Sequence, residues 1–192
     1  MGDNSHHFDT NYFRKRGKLF PYLKGSLFAI SIKTLFRPKT LLDVGCAKGE
    51  FVYFTSLLGI DSYGVDISET AINQVPRRVR AKCRVSPANE LLFEDNYFDL
   101  VTSFAVMEHI PERECENVIK EMLRVSRKRV LLQICVKDSL LEKNRHYLRD
   151  PTHINVKESE WWKDMFKECN MKFREVLPKL GMFVIEKQNG RD

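Results

Sequence analysis

TLLDVGCAKGEF, residues 40–51, decides how this chain is read. An apolar pair, Leu41-Leu42, runs into Asp43. Gly45 and Gly49 follow four residues apart, and Glu50-Phe51 closes the stretch. A short apolar run bounded by turn-formers marks a buried strand. The glycines admit backbone conformations, and a closeness of backbone to ligand, that a Cβ would block. Where strands alternate with helices, ligands bind beyond the carboxyl ends of the strands. The segment therefore reads as strand, binding loop and helix start.

Outward from this point the pattern alternates. Strands are expected at 40–45, 62–66, 81–85, 97–104 and 129–135, and helices at 50–59, 68–76 and 111–126, with a short helix around "ANELL". Ser68 is a cap candidate, and Pro111 suits a first helical turn. A helix at 157–170 precedes two last strands, 171–177 and 182–187, spaced like a hairpin. The fold class is thus α/β: a Rossmann-like three-layer sandwich on a mostly parallel seven-stranded sheet, with an antiparallel C-terminal strand. Before the first strand, residues 1–37 form two helical pieces, 8–18 and 21–37, the second carrying a stripe at Leu23, Leu27, Ile30 and Thr34. They are expected to stand apart from a main domain spanning 38–192, within one compact domain overall.

The 192 residues are enough for one sizeable core, with 43% hydrophobic and 30% charged residues. No segment reaches the roughly 18 unbroken apolar residues of a membrane span, and no signal pattern opens the chain, so a cytoplasmic protein is expected. Five scattered cysteines without a C-x-x-C pair read as reduced core thiols. The net charge of +6 includes Arg77, Arg78, Arg80, Lys82 and Arg84. That cluster is a solvated helix-to-strand edge or a patch for an anionic partner.

The loop does not meet the dinucleotide fingerprint G-x-G-x-x-G; its spacing is D-x-G-x-x-x-G, with Ala47 between the glycines. Two acids beside the loop repel phosphate and favour a cationic nucleoside. Asp66 ends the second strand, where an acid can bind two ribose hydroxyls; capping the helix near Ser68 is its other open role.

"LLDVGCAKGEF", "YGVDIS", "ANELLFEDNYFDLVTSFAVMEHI" and "VIKEMLRVSRKRVLLQI" together resemble the successive motifs of class I S-adenosylmethionine-dependent methyltransferases of the type 11, small-molecule group, over about residues 40–135. The resemblance implies that Asp43, Gly45, Cys46 and Gly49 hold the methionine end and adenosine of S-adenosyl-L-methionine, and that Asp66 holds its ribose. It implies Ile67 against the adenine, Ala88 and Asn89 along its polar edge, and Phe104 with Ala105 beneath the sulfonium. It also implies that the helices of 1–37 fold as a lid over a catalytic domain at 38–192, and that S-adenosyl-L-homocysteine is the product. The chain departs from the pattern at Ala47, expected at a position with no need of positive φ, at Pro87, where many relatives have an acid, and in "VSRKRV", which lacks a Pro-Gly turn.

The implied acceptor is a small molecule methylated on oxygen or nitrogen, such as a sugar or a cell-envelope or lipid-linked intermediate. His109, His153 and Asp150 are the catalytic candidates, with Glu108 and His146 as further bases. The histidine rings have ordinary packing as their other open role. Asp150 with His153 makes only two metal ligands, so no metal site is expected. Trp161 and Trp162 supply either an acceptor wall or core. A nucleic-acid substrate is not favoured, because Ser103-Phe104-Ala105-Val106 replaces the Asn/Asp-Pro-Pro-Tyr pattern that grips a base. A protein substrate, or a non-catalytic partner subunit on the same fold, stays open.

Overall fold

The computed structural model describes residues 22–139 and 150–188, with the side chains of the first helix from residue 25 onward. It divides into two compact units, Met1–Leu92 and Phe93–Asp192. The expected lid segment at 8–18 lies outside the described residues.

The first unit contains α1 (Tyr22–Phe36), β1 (Thr40–Val44), α2 (Glu50–Leu57), β2 (Asp61–Asp66), the short α3 (Glu69–Ile72) and β3 (Cys83–Val85). The second contains β4 (Phe98–Phe104), a single 3-10 turn at Met107–His109, α4 (Glu112–Val125), β5 (Ser126–Gln133), α5 (Ser159–Glu168), β6 (Lys172–Leu177) and β7 (Met182–Glu186). The strands form a seven-stranded sheet in the order β3-β2-β1-β4-β5-β7-β6. β1, β2 and β3 pair in parallel, as do β4 and β5, while β7 runs antiparallel to both β5 and β6. This is the expected mixed sheet, with the closing hairpin where the spacing put it.

In the first unit, β1 is buried from Leu41 to Val44, as a strand covered on both faces should be. Beside it, Cys46, Val52, Ile72, Val75, Val79 and Cys83 form one apolar cluster. Gly64 of β2 lies under that cluster. A Cβ there would stand 2.7 Å from Cys46 Sγ and 2.8 Å from Cys46 Cβ. The missing side chain is what lets the loop cysteine settle onto the strand.

α1 forms as expected but buries a different face. Ala29 and Ile32 are inside, whereas Leu27 and Ile30 of the anticipated stripe are exposed, as is Thr34. The helix is apolar nearly all round, so periodicity could not choose a face. Small residues chose it: a Cβ on Gly25 would meet the Phe54 ring at 3.1 Å, and Phe28 lies 5.6 Å from Phe51 between ring centres.

The second unit follows its pattern more closely. Cys115, Val118, Ile119, Met122 and Val125 give α4 a helical apolar stripe. Trp162 and Phe166 of α5 are wholly buried, with Phe166 against Phe173 and Phe183. Trp162 is therefore core, and Trp161 is half-buried beside it beneath the Lys157 ammonium. No Pro-Gly turn joins α4 to β5 because Ser126 does that work. Its hydroxyl accepts the N–H groups of Lys128 and Arg129 and donates to the Arg129 carbonyl. The "ANELL" segment is a turn, not a helix. Ser86 Oγ donates to the Glu90 carbonyl at 2.9 Å and closes it locally.

Gly64→Ala is expected to destabilise the chain by about 1–3 kcal/mol, the cost of forcing a methyl into a filled core. Urea unfolding reads it as a lower midpoint at unchanged slope; an unmoved midpoint would mean that Cys46 does not sit on β2.

Candidate functional site

The loop after β1 is built from backbone hydrogen bonds. Gly45 and Cys46 both donate N–H to the Val65 carbonyl, at 2.8 and 2.9 Å, and Gly49 donates to the Cys46 carbonyl at 2.8 Å. Gly45 and Gly49 sit at φ 80 and 68, in the left-handed region that glycine enters without cost. Gly49 is also hemmed in: a Cβ would meet Val75 at 3.0 Å. Both glycines thus have the conformational reason the sequence suggested.

Asp66 binds two ends of this arrangement. Its Oδ2 accepts the Ala47 N–H and its Oδ1 the Ser68 N–H, each at 2.8 Å. Loss of hydration pushes the carboxyl above the ordinary carboxylate range, and the two N–H groups pull it partway back. A carboxylate has about four lone-pair sites, so each oxygen retains one for a ligand hydroxyl. Capping belongs to Ser68 itself, whose hydroxyl accepts from Ala71 at 3.2 Å. Asp66 fixes the residue entering that helix and the glycine loop together.

Ala47 needs correction. It was expected at an ordinary φ, but it lies at φ 47. For an L-residue this costs roughly 1–2 kcal/mol. The Asp66 bond lands on this residue's N–H and helps hold it there.

The other expected donor-side residues are placed as follows. Asp43 is buried near the end of β1. Cys46 is buried against β2, and hydrogen bonding to Cys83, with burial, raises its thiol well above the usual value. Ile67 is 37% exposed directly after β2, an apolar surface beside the ribose-binding candidate. Ala88 and Asn89 are half-buried in the 86–90 turn, which is tied to β2 through Ser86 N–H on the Asp66 carbonyl. Exposed Pro87 opens that turn. Of the basic cluster, Arg77, Arg78, Arg80 and Arg84 are exposed and Lys82 pairs with Asp61, so this edge is solvated.

The second unit brings the catalytic candidates together. Phe104 ends β4, half-buried, and Ala105 follows at φ 54 with its N–H on the Gln133 carbonyl. Then come Glu108 and His109 in the 3-10 turn. The segment at 150–155 is laced to it: Ile154 and Asn155 both donate N–H to the Glu108 carbonyl at 3.0 Å. His109 Nδ1 lies 3.0 Å from the Thr152 carbonyl. A carbonyl only accepts, so Nδ1 carries the proton and Nε2 is the basic atom. His153 meets His109 edge to face, 4.8 Å between ring centres. Asp150 Oδ2 stands 3.8 Å from His153 Nε2, while its Oδ1 accepts the N–H and hydroxyl of Thr152. Side-chain nitrogen and oxygen atoms of Glu108, His109 and His153 all lie within 4.8 Å of one another. The sequence had offered Asp150 with His153; the set the fold assembles uses Glu108 instead. The pairing of 108–109 with 153 depends on main-chain bonds that no residue pattern announces. His146 lies outside the described residues.

Residues 42–134 match the model of a methyltransferase domain family, the type 11 group. The matched segment is a methyltransferase domain of the type 11, class I S-adenosylmethionine-dependent group. Among curated relatives, norajmaline N-methyltransferase of Rauvolfia serpentina is 30% identical over 47% of this chain and 33% of its own length. Ubiquinone biosynthesis O-methyltransferase of Acinetobacter baylyi is 29% identical over 43% of this chain and 40% of its own. The chain thus spans about a third to two fifths of these two relatives. A solved SAM-dependent methyltransferase of Thermotoga maritima, described as a possible histamine N-methyltransferase, shares the fold with TM-score 0.68 at 18% identity, over 96% of this chain and 99% of that one.

Ala47→Gly is expected to leave stability unchanged or raise it by up to about 1 kcal/mol, because relief of the left-handed strain outweighs the entropy of a new glycine. Ala29→Gly, in a buried helix interior, should lower it by about 1 kcal/mol or more. Thermal melts should place Ala47→Gly at or above the parent and Ala29→Gly below it; a clear loss at Ala47→Gly would mean the loop is not built as described.

Proposed function

We propose that the chain transfers a methyl group from S-adenosyl-L-methionine to an oxygen or nitrogen of a small molecule. The observation that carries this reading is the Asp66 carboxylate: anchored by two backbone N–H groups at the end of β2, with lone pairs left for a ribose diol, beside a loop whose two glycines take left-handed φ. The residues fit such a donor. Asp43 and Asp66 suit its positive charge rather than a phosphate. Ile67 offers an apolar face to the adenine, and the Ala88-Asn89 turn a polar edge. When bound, the donor would supply an activated methyl on a sulfonium: the acceptor's lone pair bonds to its carbon as the C–S bond breaks and its electron pair leaves on the thioether sulfur.

The chain's own work is alignment and proton management. A hydroxyl acceptor must lose its proton, and the second unit carries a group able to help. His109 is held in one tautomer by the Thr152 carbonyl with Nε2 basic, and Asp150 faces the far nitrogen of His153. An amine acceptor, bound neutral, needs less of this help. Curated relatives named for O- and N-methylation support the substrate class. The described residues contain no helix long and apolar enough to cross a membrane, which suits an acceptor met in water or at a surface.

S-adenosylmethionine and S-adenosylhomocysteine should each raise the melting temperature at saturating concentration. Asp66→Ala should weaken the homocysteine compound at least about tenfold by calorimetry. Wild type should also prefer it to its 2′-deoxy analogue, a preference the variant loses. Equal discrimination by both proteins would remove Asp66 from the ribose and leave it as a loop anchor alone.

A further inference from the structure

We propose that Glu108, His109 and His153 form a binding site for one divalent transition-metal cation. The three ligand atoms already lie within 4.8 Å of one another. Two imidazole nitrogens and one carboxylate oxygen form the donor set of a facial triad, with positions left open on the metal. That mixture selects manganese, iron, cobalt or zinc. Magnesium and calcium take shells made of oxygen.

The surroundings are those of a built site. Histidines that bind metals donate their other ring N–H to a carbonyl or carboxylate, which fixes the ring and its tautomer. Here His109 Nδ1–H is on the Thr152 carbonyl at 3.0 Å, leaving Nε2 to face the cluster, and Asp150 lies 3.8 Å from His153 Nε2, leaving Nδ1. The carriers are locked to each other by the Ile154 and Asn155 N–H bonds to the Glu108 carbonyl. Glu108 is wholly buried and the His153 side chain is 1% exposed. A carboxylate so placed is favoured by a cation held against it. Ligands bound cis at about 2.1 Å lie about 3 Å apart, so loading draws the three side chains inward.

The site stands on this geometry; its role rests on the function proposed above. A cation with open positions would bind an acceptor hydroxyl through its oxygen and lower its pKa, so that its proton passes to solvent water and the metal takes over the task otherwise given to a histidine base.

The test uses the full chain with His6→Ala and His7→Ala, which removes the other paired histidines. After chelator treatment it is titrated with Co²⁺, read by visible absorption and equilibrium dialysis, then competed with Zn²⁺. About one bound ion, with the absorption of a nitrogen–oxygen site, is expected. Glu108→Gln and His109→Gln should each weaken binding by more than the ~10–100-fold typical of outer-shell changes. Asp150→Asn should fall within that range, and it keeps the proposal testable if the buried variants do not fold. No binding to the parent, or parental affinity in Asp150→Asn and Glu108→Gln, would overturn the site and mean that the rings are packing groups. The homocysteine-compound thermal shift is measured alongside. Ion binding without that shift overturns the methyl-transfer reading and leaves the site standing; the shift without ion binding does the reverse.

Discussion

One carboxylate organises the first unit. Asp66 accepts the N–H of Ala47, 19 positions earlier, and of Ser68, two positions later. Two charge-assisted hydrogen bonds at 2.8 Å hold a loop that would otherwise contain an alanine in a costly conformation. Burial strips the acid of hydration and raises its pKa, and the two bonds offset only part of that, so the group is left strained electrostatically. A ligand bringing hydroxyls and a positive charge satisfies the remaining lone pairs and relieves that strain. If Asp66 holds the donor's ribose as proposed, loop geometry and donor recognition are one device, and a substitution at Asp66 disturbs both.

Much of this was legible in the residues. The order Asp43, Gly45, Gly49, Asp66 marked a strand, a turn and a second strand end, and the structure places each where that reading put it. Ser68 as a cap, Pro111 before α4 and the final hairpin followed from local chemistry, which acts over a few residues and is visible in a few residues. What stayed hidden is decided at longer range. Ala47 adopts φ 47 because a carboxylate 19 residues away holds its N–H. No local signal separates that alanine from one at ordinary φ. α1 turns Ala29 and Ile32 inward because Gly25 and Ala29 are small, whereas counting apolar residues favoured the larger and exposed Leu27 and Ile30.

The candidate catalytic cluster shows the same limit more sharply. His109, His153 and Glu108 were all identifiable as chemistry-bearing residues, but their grouping was not. Proximity in sequence suggested Asp150 for His153, and Asp150 does stand behind that ring. The residue completing the set is Glu108, brought there by its own carbonyl, which accepts the N–H groups of Ile154 and Asn155. A backbone group with no sequence identity thus sets which side chains meet.

That wiring has a consequence for the two rings. The ring of His109 is oriented by a main-chain carbonyl, a partner that does not itself titrate. His153 differs, because its outer partner is a carboxylate. The two rings are therefore unequal: one is held by geometry alone, the other by charge as well. Under the proposals above, an acceptor or ion meets His109 through the nitrogen that the Thr152 carbonyl leaves over, and His153 through a ring backed by a carboxylate. The difference between the two rings is thus set by what the 150–155 segment brings behind them, a carbonyl for one and a carboxylate for the other.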